Sequence, residues 1–156
     1  MSSIEYINSV VLTTSAAAVT FSGIPDYYED LMLEVSYTPS GTALPQIQFN
    51  QDTGSNYSDT DLTGNGSSAS SGRDSNQTKS YVGNSYNGIT SININIMSYS
   101  NNSIYKTMLS SYSAPGGVVD SRVNLWRSTS IINEIKFYLS ANSFNSGSTF
   151  TLWGVR

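Results

Sequence analysis

Leu31-Met32-Leu33-Glu34-Val35-Ser36-Tyr37 decides the fold class. Leu31, Leu33, Val35 and Tyr37 occupy alternate positions, with Met32, Glu34 and Ser36 between them. Side chains of a β-strand point to opposite faces with period two, so this stretch has one dry face and one wetter face. The same alternation recurs. Ile92, Ile94 and Ile96 alternate with Ser91, Asn93 and Asn95, and Val123 and Leu125 alternate with Asn124 and Trp126. Ile135, Phe137 and Leu139 alternate with Lys136 and Tyr138, and Phe150, Leu152 and Gly154 with Thr151 and Trp153. An antiparallel sheet with one face on a core and the other in solvent requires this pattern.

Shorter strand candidates lie at residues 4–12, 19–21, 46–49, 79–82 and 104–109. Turn signals separate the runs at Gly23-Ile24-Pro25-Asp26, Pro39-Ser40-Gly41, Pro115-Gly116-Gly117 and Asn145-Ser146-Gly147. Gly and Pro supply backbone angles that strands cannot hold. The spacing predicts an all-β, antiparallel β-sandwich of jelly-roll type with about 8–10 strands. One domain spans residues 1–156, with 1–25 as an N-terminal arm or first strands. Residues 25–30 are expected to form one helical turn, with acids near its N-terminus. The predicted core is Leu31, Leu33, Val35, Ile47, Phe49, Ile92, Ile94, Ile96, Val123, Leu125, Ile135, Phe137, Phe150 and Leu152.

Composition excludes several functions. The chain has 156 residues, enough for one real core, and only 12% are charged. Small polar residues fill the gap, with 30 Ser and 15 Asn, yet aromatics reach 12%, which a disordered chain lacks. The net charge of −4, with basic residues scattered, leaves no patch to neutralise phosphates, so no nucleic-acid partner is expected. No apolar run approaches the roughly 20 residues that span a bilayer, and no signal peptide is visible, so neither a membrane partner nor secretion is expected.

The chain has no His and no Cys. Ser-His-Asp and Cys-His catalysis are thereby excluded, zinc is disfavoured, and no enzyme activity or cofactor is expected. A carboxylate pair remains formally open, but the eleven acids fall mostly in loops. Asp52, Asn56, Asp59 and Asp61 form the one cluster of oxygen donors that a hard cation such as calcium could use. Their spacing is not that of an EF-hand, and Asp and Asn equally cap turns through their own backbone.

Residues 51–78 read as a long polar loop, with no apolar side chain larger than Ala69 between 64 and 78. Such a loop is expected to order against a neighbour, with Arg73 and Asp74 making its directional contacts. Tyr57, Tyr81, Tyr86, Tyr99, Tyr105, Tyr112 and Trp126 lie in or beside polar segments. They fit either a sugar-stacking surface or a protein interface, where a Tyr ring packs and its hydroxyl stays wet. Tyr105, Trp126, Tyr138 and Trp153 are the expected outward interface positions.

Three blocks carry a family resemblance. They are Phe49-Asn50-Gln51-Asp52-Thr53-Gly54-Ser55-Asn56-Tyr57-Ser58-Asp59-Thr60-Asp61-Leu62-Thr63-Gly64-Asn65-Gly66, then Leu125-Trp126-Arg127-Ser128-Thr129-Ser130-Ile131-Ile132, then Gly147-Ser148-Thr149-Phe150-Thr151-Leu152-Trp153-Gly154-Val155. Lys106-Thr107 and Gly116-Gly117 fit the same pattern, and Trp153 stands where Tyr is more usual. In this order the blocks resemble β-sandwich structural proteins of tailed-bacteriophage virions, which act as capsid decoration (cement) proteins or as heads of fibres. The resemblance implies a virion protein made in the host cytoplasm, a homotrimer, and binding to the assembled major capsid protein. Its alternative is a glycan-recognising, receptor-binding module of a tail or head fibre.

Overall fold

Leu31, Leu33, Val35 and Tyr37 are all buried, and so are Ile92, Ile94 and Ile96, the strand with which they pair. The structure is a computed structural model that describes residues 3–116 and 118–156; Gly117, part of one expected turn, lies outside the described residues. Among the described residues twelve strands form: β1 Ile4–Val11, β2 Ala18–Ser22, β3 Asp30–Tyr37, β4 Pro45–Phe49, β5 Tyr57–Gly64, β6 Ala69–Gln77, β7 Ser80–Tyr81, β8 Thr90–Met97, β9 Lys106–Ala114, β10 Val118–Trp126, β11 Glu134–Leu139 and β12 Thr149–Val155. The described residues include no helix; residues 25–29 are irregular chain with bends at Asp26 and Glu29, rather than the expected helical turn, and Asp30 already begins β3.

The strands make two antiparallel sheets, ordered β1-β12-β3-β8-β9-β10-β5-β6 and β2-β11-β4-β7. Four pairs wrap around each other: β1 with β12, β2 with β11, β3 with β8, and β4 with β7. The chain enters the smaller sheet only for β2, β4, β7 and β11, and returns to the larger sheet after each of them. This is the jelly roll, two Greek keys rolled into a sandwich. Residues 4–22 supply β1 and β2, so the N-terminal stretch is part of both sheets.

Two further hairpins raise the count above the expected 8–10. The β5–β6 hairpin leaves after β4, the β9–β10 hairpin leaves after β8, and together they extend the larger sheet past β8. The first of these replaces the expected loop over 51–78. Its turn is built by Asn65, whose Oδ1 accepts from the backbone N of Ser67 and Ser68 at 3.0 and 2.8 Å. Gly66 takes φ +85°, which a side chain disfavours. Backbone ladder bonds to β5 order β6, whose side chains make almost no core.

The core lies between the sheets. Phe137, Phe144 and Phe150 pack with ring centroids 5.1–5.8 Å apart, and Tyr37 meets Phe144 edge-on at 5.3 Å. Gly154 is required here: a Cβ would lie 2.4 Å from the Tyr28 ring that stacks on it. Twelve of the fourteen predicted core residues are buried. The exceptions are Val123, which is 54% exposed, and Leu125, which is half-buried; both are on β10, whose faces are the reverse of the expected ones.

Candidate functional site

β10 buries Asp120, Arg122, Asn124 and Trp126 and turns Val119, Ser121, Val123 and Leu125 outward. Both sets alternate equally well, and Trp126 decides between them. Its indole lies 5.4 Å from the Phe49 ring and 6.2 Å from that of Tyr57, and its Nε1 donates to Asp52 Oδ2 at 2.7 Å. An aromatic ring contributes far more buried area than a Val. With Trp126 inside, every second residue of the strand must follow it inward.

Local chemistry brings Asp52 to that indole. Phe49 to Asp52 form a tight turn, closed by Asp52 N donating to Phe49 O at 2.8 Å. Asn50 and Gln51 both take positive φ, at 51° and 57°, the signature of a type I′ turn. Asn50 Oδ1 then accepts from Asn133 N and Glu134 N, and Asn50 Nδ2 donates to Ile131 O. Asp52 also accepts from Gly54 N at 2.8 Å and Asn56 Nδ2 at 2.9 Å. Arg127 donates to Ser58 Oγ, Ser55 O and Asn76 Oδ1. Two of the three sequence blocks therefore meet in space and hold each other. Burial pushes the Asp52 carboxyl up, but donors from Asn56, Trp126 and Gly54 outweigh it and leave it below its ordinary value.

One residue pair further along, Arg122 is forked between carboxylates. Its Nε and Nη2 donate to Asp120 Oδ2 at 3.0 and 2.8 Å, its Nη1 to Asp59 Oδ2 at 3.1 Å, and Asp61 Oδ1 stands 3.9 Å away. Asp59, Asp120 and Arg122 are all buried. Burial pushes the Asp59 carboxyl up to about 6, against the pull of Arg122 and with Asp74 and Asp61 adding repulsion. Burial raises Asp120 too, again opposed by Arg122. Asp59 Oδ1, Asp120 Oδ1 and both side-chain atoms of Asn124 have no protein hydrogen-bond partner. Nearby, Lys106 is fully buried with its Nζ donating to the carbonyls of Asn101, Ile104 and Thr129. Burial lowers its pKa.

The four expected cation donors thus split into two pairs. Asp52 and Asn56 bind each other beneath Trp126, while Asp59 and Asp61 face Arg122. No group of three or more acidic side chains placed to hold a metal occurs among the described residues.

On the opposite side of this charged layer lies an apolar surface. Val123 is flanked in register by Leu109 on β9 and Thr60 on β5, and Thr60 by Arg73 on β6. Leu62 is 65% exposed and Val119 58%. A groove of about 320 Å³ runs between Ser58, Thr60, Arg73, Thr107, Val123 and Leu125. Sequence reasoning missed this surface. The available signal was Trp126 sharing its alternation with Arg122 and Asp120.

The expected interface residues scatter. Trp126, expected outward, is buried. Tyr105 is exposed at the start of β9 beside exposed Ile104. Tyr138 lies half-buried on β11, with Lys136 Nζ 5.0 Å from its ring centroid. Arg73 is exposed on the outer face, and Asp74 lies opposite Asp59 on the inner one. Trp153 sits on the outer face of the larger sheet, edge-on to Tyr6 at 5.9 Å, with Nε1 donating to Glu34 Oε2 at 2.9 Å. Beside it, a shallow polar groove of about 370 Å³ is lined by Glu34, Ser36, Ser91, Asn93, Thr149 and Thr151.

No protein-family model matches the chain, and no curated protein matches it in sequence. Among solved structures it is similar to the Caenorhabditis elegans galectin LEC-6, at 10% identity over 96% of each chain with a TM-score of 0.40. A likeness this loose carries no functional reading.

Proposed function

We propose that this protein is a non-enzymatic structural protein of a tailed-phage virion. In this reading it is a capsid decoration protein that binds the assembled major capsid protein as a homo-oligomer and stabilises the shell. The observation that supports it most is β10: a strand with Arg122 and Asp120 inside and Val119, Val123 and Leu125 outside. Exposed apolar area costs roughly 25 cal/mol per Å² left in water, and contiguous apolar patches mark protein contact surfaces. Beneath the patch, the Arg122 network and the Trp126–Asp52 bond fix the sheet that presents it. Repetition over many copies on a shell would turn a modest contact into stable binding through avidity. Purified particles imaged by cryo-electron microscopy test this. Density for the jelly roll at three-fold or quasi-three-fold positions of the capsid is the expected result, and density confined to the tail overturns it.

A second reading, a glycan-recognising module on a fibre, has one observation of its own. Trp153 and Tyr6 form an aromatic corner beside the polar groove of Glu34, Asn93 and Thr151. Tail-only density together with loss of host attachment in Trp153→Ala would favour it.

A further inference from the structure

We propose that the outer face of β9, β10, β5 and β6 packs on the same face of a second copy of this chain, sheet against sheet across a two-fold axis. This rests on the reading above that the face is covered by protein; the covering protein is here a second copy of this chain, and the capsid is met by the assembled oligomer through its remaining surface.

Charge is the first argument. Leu62, Leu109, Val119, Val123 and Leu125 share the face with Ser and Thr, and Arg73 is the only charged side chain among the outward positions of these four strands. Two copies of a chain with net charge −4 repel each other in general. An approach through this face brings no carboxylates together, because Asp59, Asp61 and Asp120 lie on the inner side against Arg122.

Size is the second. Four strands at about 4.8 Å spacing, one of eight and three of nine residues at about 3.3 Å rise, give a face of roughly 550 Å², or about 1,100 Å² buried by a pair. That clears the roughly 1,000 Å² expected of a specific interface.

Shape is the third. Twisted sheets pack face to face at about 10 Å when their strands cross within about 30°, and an identical copy supplies an identical twist. The inner side of β10 is buried, with Trp126 packed on Phe49 of β4 in the smaller sheet. A second copy would complete the outer side as a further sandwich. Such a contact is isologous, so Val123, near the centre of the face, meets the neighbourhood of its own counterpart. An oligomer built by this contact alone is a dimer, not the trimer that the sequence resemblance implies.

The chain has no Cys, so single cysteines give a clean test. Val123→Cys should be joined into a dimer by a short bismaleimide cross-linker, since facing sheets about 10 Å apart hold the two sulfurs too far apart for a direct disulfide, while Ser67→Cys, exposed in the β5–β6 turn, should not. Sedimentation velocity should show a dimer for the wild type, with Leu62→Glu weakening association by roughly ten-fold or more. Leu62 is 65% exposed, so this change leaves the core alone. A monomeric wild type at about 100 μM, equal cross-linking of the two cysteine variants, or a trimer that Val123→Cys does not cross-link would each overturn the second copy as occupant. Loss of capsid occupancy in Leu62→Glu with a monomeric wild type would reject this inference yet keep the decoration reading. Tail-only density would reject the decoration reading whatever the cross-linking shows.

Discussion

Trp126 Nε1 donates to Asp52 Oδ2 at 2.7 Å, joining the turn after β4 to the end of β10 across 74 residues of sequence. The indole packs against the rings of Phe49 and Tyr57, and Asp52 also accepts from Gly54 N and Asn56 Nδ2. Asp52→Ala would leave the indole N–H of buried Trp126 without its acceptor at a part-buried site and free the 52–56 loop. The expected loss is about 2–3 kcal/mol. Denaturant unfolding followed by Trp fluorescence measures it, and Asp52→Asn, which keeps an acceptor oxygen, should recover part of the loss.

Arg122 should matter more than any other surface-derived charge. Arg122→Met leaves Asp59 and Asp120 buried without their cation, at a cost of about 3–5 kcal/mol. Adding Asp59→Asn and Asp120→Asn to that variant removes the uncompensated charges and should restore most of the stability. If the triple variant unfolds at the same denaturant concentration as Arg122→Met alone, packing of the guanidinium, not charge, accounts for the loss.

The same cluster sets a pH dependence. Asp59 titrates at about 6 in the folded chain and near 3.9 when unfolded. The folded state therefore binds more protons between these values. Asp59's contribution is fully present below about pH 4 and is lost as pH rises through about 6, a swing on the order of 3 kcal/mol. Asp120, also raised, acts in the same direction. Asp52 is lowered, so its contribution is present above the ordinary carboxylate pKa and falls away only in stronger acid. Thermal unfolding should show greater stability at pH 5 than at pH 7, and Asp59→Asn should flatten that slope.

The reversed faces of β10 make a paired prediction. Val123→Ser, at a position 54% exposed, should change the stability of the isolated chain by no more than about 0.5 kcal/mol. Ile94→Ala, on β8 and fully buried, should cost about 2–5 kcal/mol. Comparable losses at the two sites would mean that Val123 is inside.

The sequence by itself determined the all-β class and the buried faces of β3, β8, β11 and β12. Alternation is a local property of the extended backbone, and in those strands one face is apolar but for Thr90 at the start of β8, so only one orientation can meet a core. It also marked Asp52 and Asn56 as turn chemistry, because Gly54 N and Asn56 Nδ2 reach the Asp52 carboxylate within four residues. Tertiary structure alone decided β10, where both faces alternate and the choice fell to Trp126 meeting Phe49 and Tyr57 from distant strands. It decided that Arg122 would be buried, since that needs Asp59 from another strand. It also made a strand of Ala69–Gln77: composition reports what side chains can bury, whereas β6 is held by backbone hydrogen bonds that any non-proline residue can make once β5 lies alongside.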